Sequence, residues 1–339
     1  MPVLKNNFWN DLRPGMFALA PMEDVTDTVF RELVMSVSAP GKLHLLFTEF
    51  TSVDGLCHPV GREAVLHRFR VNESERILLN KLNIKLIAQI WGNDPDKFYR
   101  GARFIADEFG FDGIDINFGC PVGKVVKQNT CSALIGQPAL ALEIIDATIK
   151  GSDLPVSVKT RTGIKVHQTR EWIGHLLGSD LSAITLHART QKMQSLYPAE
   201  WEQVTIASAL KNEVNPNVKI LGNGDVNSWA QGIELLGKTG ADGIMVGRGI
   251  FADPWFFTGE DRERDVFEKL ALLDKHISLF TKTWGQNRNF SILKRFFKIY
   301  INGFTGAAAF RAKLMETQNA DEAFKVIRDF KRNYAITGG

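Results

Sequence analysis

Eight short apolar runs, each ending at a polar or glycine-rich cluster, recur along this chain of 339 residues. Segments with the 3.6-residue apolar spacing of helices fill most of the intervals between them. Strands that alternate with helices indicate βα units and a parallel sheet, and eight such units favour an α/β fold, the closed (β/α)8 TIM barrel. In that fold the active site lies at the C-terminal ends of the strands. The predicted strands are 16–20, 44–47, 85–90, 113–117, 156–159, 183–187, 218–221 and 243–246.

The strand signals stop after Trp255, and only helical patterns follow. The last part of the chain contains four amphipathic segments, 265–283, 291–302, 307–315 and 321–333. We therefore predict a barrel domain over residues 1–258, followed by a smaller all-helical C-terminal domain over residues 259–339.

Cysteine usage and hydropathy restrict the class of protein. The three cysteines form no CxxC pair, and no second Cys/His pair completes a ligand set, so we expect neither a disulfide framework nor a metal site. Charged or polar side chains interrupt each apolar run before it reaches membrane-spanning length. Residues 1–15 lack the apolar core of a signal peptide. We expect a cytoplasmic monomer without a membrane partner.

Positive charge is concentrated near the C-terminus, although the net charge of the chain is only +3. Residues 260–339 hold 15 Lys and Arg against 10 Asp and Glu. Between Asp274 and Glu316 the chain has no acidic residue. Such segregation is typical of a surface that binds a polyanion, although a solvated helical face would give the same pattern.

Basic side chains alternate at the ends of two neighbouring predicted strands. Lys159 and Arg161 point to the same side of one strand, and His187 and Arg189 share a side of the next. At the mouth of a barrel these four side chains converge. A buried lysine requires an anionic partner, which is either Asp115 or a bound anionic ligand.

Glycine-rich turns follow the last two predicted strands. Residues 222–225 read Gly-Asn-Gly-Asp and residues 247–249 read Gly-Arg-Gly. Glycines at these two loops let backbone N–H groups approach phosphate oxygens, so we predict a phosphate site there.

Cys120 follows the fourth strand between Gly119 and Pro121. Its thiol is a candidate nucleophile or general acid, whereas Cys57 and Cys131 are interpreted as structural.

Several of these elements resemble the signatures of tRNA-dihydrouridine synthases. The most specific are Asn-Phe-Gly-Cys-Pro over residues 117–121 and His-Ala-Arg-Thr over residues 187–190, and the resemblance covers roughly residues 16–330. It implies FMN at the barrel mouth, NADPH as the reductant and tRNA, not DNA, as the partner. A uridine flipped out of the tRNA would accept hydride at C6 and become 5,6-dihydrouridine.

The resemblance also implies roles for individual residues. Cys120 would be the general acid that protonates C5, which requires that its pKa is not strongly lowered. The residues implied in FMN binding are Pro21, Met22, Gln89, Lys159, His187, Asn223, Gly224, Asp225, Gly247 and Arg248. Those implied in contacts with the uracil or its phosphate are Asn117, Arg161, Arg189 and Tyr197. Independently of the resemblance, Lys294 and Lys298 are four apart on one predicted helix with Arg295 adjacent, and we expect this positive face to bind the tRNA backbone.

One segment departs from the family pattern. Where the family usually shows a glycine-rich stretch, residues 127–132 read Lys-Gln-Asn-Thr-Cys-Ser. We therefore expect the loop that carries the general acid to differ from that of the family.

Two alternatives remain beside tRNA reduction. One is a related FMN barrel that reduces a free pyrimidine or an enoate, which would not need the basic C-terminal segment. The other is a non-catalytic RNA-binding barrel, which would not need Cys120, Lys159 and His187 together.

Overall fold

A computed structural model describes residues 7–337 of the chain, and residues 1–6 and 338–339 of the two predicted domains lie outside the described part. Nine strands are found there: β1 Met16–Leu19, β2 Leu45–Phe47, β3 Thr51–Ser52, β4 Lys85–Trp91, β5 Gly113–Phe118, β6 Val156–Arg161, β7 Ala183–His187, β8 Lys219–Asn223 and β9 Gly243–Val246. Eight of them correspond to the predicted strands. The additional strand, β3, is a two-residue pairing with the end of β4.

The eight long-range strand pairings close the sheet into a barrel. β1 pairs in parallel with both β2 and β9, β2 pairs with β4, and each strand from β4 to β9 pairs with the next. Because all pairings are parallel, the C-terminal ends of the strands meet at one mouth. The predicted TIM barrel is therefore confirmed.

Helices α1 to α11 connect or follow the strands, and four further helices form the C-terminal region. Their bounds are α1 Thr28–Met35, α2 Val53–Cys57, α3 Pro59–Leu66, α4 Glu73–Leu82, α5 Pro95–Glu108, α6 Gly123–Val126, α7 Pro138–Ser152, α8 Thr169–Leu177, α9 Glu202–Val214, α10 Trp229–Thr239, α11 Gly249–Ala252, α12 Val266–Trp284, α13 Phe297–Tyr300, α14 Ala307–Glu316 and α15 Ala320–Thr337. Pro95 and Pro138 occupy first-turn positions, where the missing N–H has no intrahelical partner to lose.

Strand alternation separates two apolar clusters. Met16 and Ala18 of β1 point into the barrel, whereas Phe17 and Leu19 point outward to the surrounding helices. The interior cluster includes Trp9 from the short 3-10 helix Phe8–Asn10. The preceding residue, Asn7, donates a 2.9 Å bond from its side-chain amide to Ser182 Oγ, just before β7. Trp9 therefore fills the barrel at the N-terminal ends of the strands.

The C-terminal helices pack on the barrel beside its first βα unit. A capping box formed by Asp265 and Glu268 begins α12, and Trp284 at its end donates a 3.0 Å bond to Asp27 before α1. Phe296 stacks on Phe30 of α1 with ring centroids 5.4 Å apart. These contacts fix the position of the basic C-terminal segment relative to the mouth.

The second predicted helix of the C-terminal region differs from expectation. Residues 291–302 were expected to form one helix, but the 3-10 helix Phe290–Phe296 precedes the four-residue α13. A 3-10 helix turns every three residues, so side chains four apart no longer share one face. In the part of the chain that the structure describes, no helix is both long and apolar enough to cross a membrane.

Candidate active site

A pocket of about 400 Å³ opens at the barrel mouth, within the size range of small-molecule and cofactor sites. Residues at the ends of β1, β6, β7, β8 and β9 form its wall. Most of the residues predicted to bind a cofactor are brought together here: Pro21, Met22, Lys159, His187, Asn223, Gly224, Asp225, Gly247 and Arg248. Arg189, predicted to contact substrate, also lines the pocket.

Two glycines allow the loops after β8 and β9 to approach each other and the pocket. Gly224 has φ +131°, and a Cβ there would lie 2.7 Å from Ala199 Cβ and 3.3 Å from His187 Cδ2. A Cβ on Gly249 would lie 2.0 Å from the carbonyl oxygen of Val226. Side chains at these two positions would force the loops apart, so the pocket wall depends on bare backbone.

Lys159 supplies the cation at the pocket floor. Burial, followed by the nearby Arg161, lowers the pKa of Lys159 to about 8, while Asp115 and Cys120 oppose that shift. Asp115 is not bonded to it: the carboxylate accepts 2.6 Å bonds from Gln89 Nε2 and Ser157 Oγ. Among the described residues Lys159 forms no ion pair, so its ammonium is available to an anionic ligand.

Gln89 does not reach the pocket wall. Its side chain is fully buried, its Nε2 donates to Asp115, and its Oε1 accepts a 3.2 Å bond from Asn117 Nδ2. Burial raises the pKa of Asp115 to about 6. The three side chains form one hydrogen-bonded layer beneath the site.

An arginine connects the other polar groups of the pocket. Arg189 donates to the carboxylate of Asp225 and, over 2.6 Å, to the carbonyl of Tyr197. Its third contact is with His187 Nε2 at 3.0 Å.

The pKa of His187 is held well below its ordinary value, first by burial and then by the positive charges of Lys159, Arg161, Arg189 and Arg248. The imidazole is therefore neutral at physiological pH.

Asp225 is a bridge between arginines. Burial raises its pKa, but bonds from Arg189 and the Ala199 N–H outweigh burial and lower it overall. Its second oxygen lies 3.7 Å from Arg248, whose side chain is 62% exposed. Asp225 is thus ionised. Its carboxylate orients the two arginines and does not itself bind an anion.

The loop after β5 carries Cys120 at the edge of the mouth. Asn117 Oδ1 accepts 3.0 Å bonds from the backbone N–H groups of Gly119 and Cys120, and Arg161 Nε donates 2.7 Å to the carbonyl of Gly119. These bonds fix the loop, so Asn117 and Arg161 hold the thiol in place. Arg161 also donates to the carbonyls of Thr190 and Gln194, which joins the loops after β5 and β7.

The acidity of Cys120 differs from the expectation. A hydrogen bond from the thiol of Cys131 lowers the pKa of Cys120 to about 7, against the opposing effect of burial. The sequence predicts Cys131 only as a structural residue, in the segment that departs from the family pattern. Only the path of the loop between the two cysteines could have shown this contact, because ten residues separate them in sequence.

Tyr197 lies apart from the pocket. Its side chain is 60% exposed and borders a shallow surface depression with Lys165, Lys192 and Met193. Only its backbone carbonyl is connected to the site, through the bond from Arg189.

The three predicted C-terminal cations do not form one face. Arg295 and Lys298 line a cavity of about 700 Å³ between the barrel and the C-terminal helices, with Val25, Phe251, Phe296 and Ile299 as its apolar wall. Arg295 donates 3.2 Å to the carbonyl of Asp24, on the loop that follows Met22. Lys294 instead donates 2.7 Å to the carbonyl of Met315 at the end of α14.

Glu49 is a polar residue at the mouth, and the sequence patterns predict no role for it. It follows β2, is 1% exposed, and accepts a 2.7 Å bond from the Asp24 N–H through Oε1. No partner is found for Oε2 among the described groups. Burial, followed by Asp27, raises its pKa to about 7. Its place at the end of a predicted strand was the available sequence signal.

No cluster of three or more metal-ligating side chains occurs in residues 7–337.

Comparison with known proteins gives the family of the chain. The family model described as "Dihydrouridine synthase (Dus)" matches residues 18–335. A "Probable tRNA-dihydrouridine synthase" of Staphylococcus epidermidis is 42% identical over 330 residues, covering 97% of each chain. A "Probable tRNA-dihydrouridine synthase 2" of Bacillus subtilis is 40% identical over 333 residues, covering 98% of each. Among solved structures, a morphinone reductase in complex with tetrahydroNAD gives a TM-score of 0.48 at 12% identity, over 78% of this chain and 93% of that one. The chain belongs to the dihydrouridine synthase family.

Proposed function

We propose that this protein reduces uridine in tRNA to 5,6-dihydrouridine, with FMN as the bound cofactor and NADPH as the reductant. One observation carries the proposal. In a chain of this family, the thiol of Cys120 and a cationic, glycine-walled pocket occupy the same barrel mouth. The names of the relatives, given to them as tRNA-dihydrouridine synthases, support the substrate class. A tRNA substrate would place the activity in the cytoplasm.

The pocket residues fit an elongated anionic cofactor. Gly224, Gly247 and Arg248 would hold the phosphate, because bare backbone and an exposed guanidinium are there together. Lys159 and His187 would face the ring system, where the cation compensates negative charge and the neutral imidazole keeps one N–H donor. Pro21 and Met22 would form the wall along the ring. When bound, the reduced flavin would supply hydride to C6 of the uracil.

Four predicted contacts receive modified roles in this proposal. Asp225 would act by positioning Arg189 and Arg248, since its carboxylate is already bonded to cations. Gln89 would support the floor through Asp115 and Asn117. Asn117 and Arg161 would act mainly by fixing the loop that carries Cys120. Of the predicted substrate contacts, Arg189 would then be the one that lines the pocket.

The proton for C5 would come from Cys120. A general acid must hold its proton before the reaction and must be fixed close to the acceptor. The bonds from Asn117 and Arg161 meet the second requirement, and a pKa of about 7 leaves a substantial fraction of the thiol protonated at neutral pH.

Contacts outside the cofactor pocket would hold the tRNA. Unstacking a base costs a few kcal/mol, which backbone contacts elsewhere must offset. Arg295 and Lys298, at the cavity between barrel and C-terminal helices, lie beside the loop after β1 and could bind phosphates next to the flipped uridine. The helical domain would then be the tRNA-binding unit, and a monomer would suffice because one chain carries both surfaces.

Mass spectrometry of unmodified tRNA treated with the purified protein, FMN and NADPH tests this function. We expect dihydrouridine in the treated tRNA, and Cys120→Ala should lower its rate of formation by on the order of 10² to 10⁴ while FMN stays bound. Cys57→Ala is the matched control, since Cys57 lies after β3 and bonds only Lys97 O. Reduction of free uracil or an enoate without tRNA dependence would indicate a small-molecule reductase. RNA binding without any flavin binding would indicate a non-catalytic barrel.

A further inference from the structure

Two thiols meet beneath the loop after β5. Cys131 begins the 3-10 helix Cys131–Gly136, and the pKa values of its thiol and of the Cys120 thiol depend on each other. The backbone keeps the two residues adjacent, because the Cys120 carbonyl accepts bonds from Ser132 N at 3.4 Å and Ser132 Oγ at 2.6 Å. Cys131 is fully buried, whereas Cys120 is partly exposed. One thiol of the pair is therefore accessible from solvent and the other lies behind it.

Cys131 occupies a backbone conformation that does not favour cysteine. Its φ of +53° lies in the left-handed region, which glycine adopts without cost and most other residues adopt rarely. The thiol therefore stands at a position where the backbone conformation favours glycine. Packing alone does not require it, because glycine would fit the backbone better.

The surroundings favour a reactive thiolate on Cys120. Arg161 and the hydrogen bond from Cys131 both stabilise its negative charge. The burial of Cys131, followed by its bond to Cys120, raises the pKa of Cys131, so that residue keeps its proton. An accessible low-pKa thiol with a protonated neighbour is the arrangement of a reactive cysteine and a resolving cysteine.

We propose that Cys120 and Cys131 form a reversible intramolecular disulfide when a hydroperoxide reaches the barrel mouth. The Cys120 thiolate attacks one peroxide oxygen, the O–O bond breaks, and hydroxide leaves as water to give a sulfenic acid. Cys131 then attacks the sulfenic sulfur, the S–O bond breaks, and a second water leaves. Two thiols lose two electrons, one hydrogen peroxide is reduced to two waters, and a dithiol such as dithiothreitol reverses the reaction.

The bond itself does not depend on the proposed function, but its consequence does. If Cys120 is the acid that protonates uridine, the disulfide removes that proton and stops dihydrouridine formation. Flavin binding should persist, because neither cysteine lines the cofactor pocket. Chemical mapping of the disulfide and the tRNA assay can therefore fail independently.

Peptide mapping of the full-length protein tests the proposal. Purified protein is treated with a small excess of hydrogen peroxide, free thiols are alkylated, and the protein is digested with trypsin without reduction. Lys124 and Lys127 both lie between the cysteines, so the disulfide would join two separate peptides. We expect that cross-linked pair, the loss of two alkylatable thiols out of three, and full return of both after dithiothreitol.

Two variants make the result specific. Cys57→Ser should lose the same two thiols, and Cys131→Ser should form no cross-link and instead accumulate sulfinic acid on Cys120 that dithiothreitol does not reverse. The proposal is overturned if wild-type Cys120 goes to sulfinic acid without a cross-link. A cross-link through Cys57, or three thiols that stay alkylatable under peroxide, would overturn it as well.

Discussion

Arg189 lies 3.0 Å from His187 through a contact between a guanidinium nitrogen and Nε2 of the imidazole. Because a guanidinium can only donate, Nε2 must be the acceptor, and the ring proton of the neutral form must lie on Nδ1. Four surrounding cations add to burial in keeping this ring neutral. The pocket therefore combines a permanent cationic lining with one uncharged imidazole.

We expect the pKa of His187 to lie well below the ordinary value of a histidine, so that the ring is neutral at pH 7. Its pKa is held well below the ordinary range by burial and by Lys159, Arg161, Arg189 and Arg248, so protonation begins only at lower pH. Histidine NMR of the labelled protein measures this, and His187→Gln identifies the signal. A His187 resonance that titrates near pH 6.5 would contradict the neutral assignment.

The rate of dihydrouridine formation should fall as the pH rises through about 7. Cys120 donates its proton only as a thiol, and above its pKa the thiolate dominates. The groups that set this pKa are Cys131 and Arg161, with the Val122 N–H, which lower it, and Glu23, which raises it together with burial. Single-turnover rates measured against pH report the transition.

Replacement of Cys131 by glycine should extend that activity to higher pH. The variant loses the thiol that stabilises the Cys120 thiolate, so the pKa of Cys120 should rise, and glycine relieves the positive φ. Alkylation of Cys120 against pH gives the pKa directly, in a Cys57→Ala background that leaves one reactive thiol. An unchanged alkylation profile would show that Cys131 does not control the acid.

Lys159→Met should weaken FMN binding by roughly ten- to a hundredfold, the range for loss of a charge-assisted hydrogen bond. The ammonium is free of ion pairs with the described carboxylates, and its pKa of about 8 keeps it protonated at neutral pH. In wild type, FMN affinity should therefore decline as the pH rises above about 8. Fluorescence titration of the apoprotein measures both effects.

The matched control for that prediction is Lys150→Met. Lys150 is an exposed residue of α7 that pairs with Asp146, so the same change of charge occurs away from the pocket. Equal losses of affinity in the two variants would mean that overall charge, and not Lys159, attracts the cofactor.

Replacing Lys294, Arg295 and Lys298 by Gln should weaken tRNA binding and flatten its salt dependence. Each lost phosphate contact lowers the slope of log affinity against log salt by roughly one unit. Because Arg295 and Lys298 share the cavity beside the mouth and Lys294 bonds Met315, we expect the double change at 295 and 298 to account for most of the effect.

A charge-matched variant distinguishes a docking surface from a general charge effect. Arg103, Lys150 and Lys238 are exposed cations on barrel helices, each in an i,i+4 pair with an acid. Their replacement by Gln should change tRNA affinity little. If both triple variants weaken binding equally, or neither does, the tRNA docks elsewhere.

Most of the barrel could be predicted because its signals are local. Short apolar strands bounded by glycine, and helices that begin at Pro95 and Pro138, follow from propensities within a few residues. Strand pairing then brings the ends of β6, β7, β8 and β9 to one pocket without further information. The second predicted C-terminal helix was wrong in type, because apolar spacing over residues 291–302 does not distinguish a 3-10 turn from an α-helix.

The order of residues by itself determined which side chains end each strand, and therefore that Lys159, His187, Gly224 and Arg248 would share the mouth of a parallel barrel. Only the tertiary structure decided how their charges and hydrogen bonds are distributed. Asp115 is bonded to Gln89 and not to Lys159, Asp225 is bonded to Arg189, and Cys131 returns to Cys120. Periodicity fixes the direction of a side chain along its own strand, whereas partners across loops depend on the path of the chain, and burial then sets the pKa of each group.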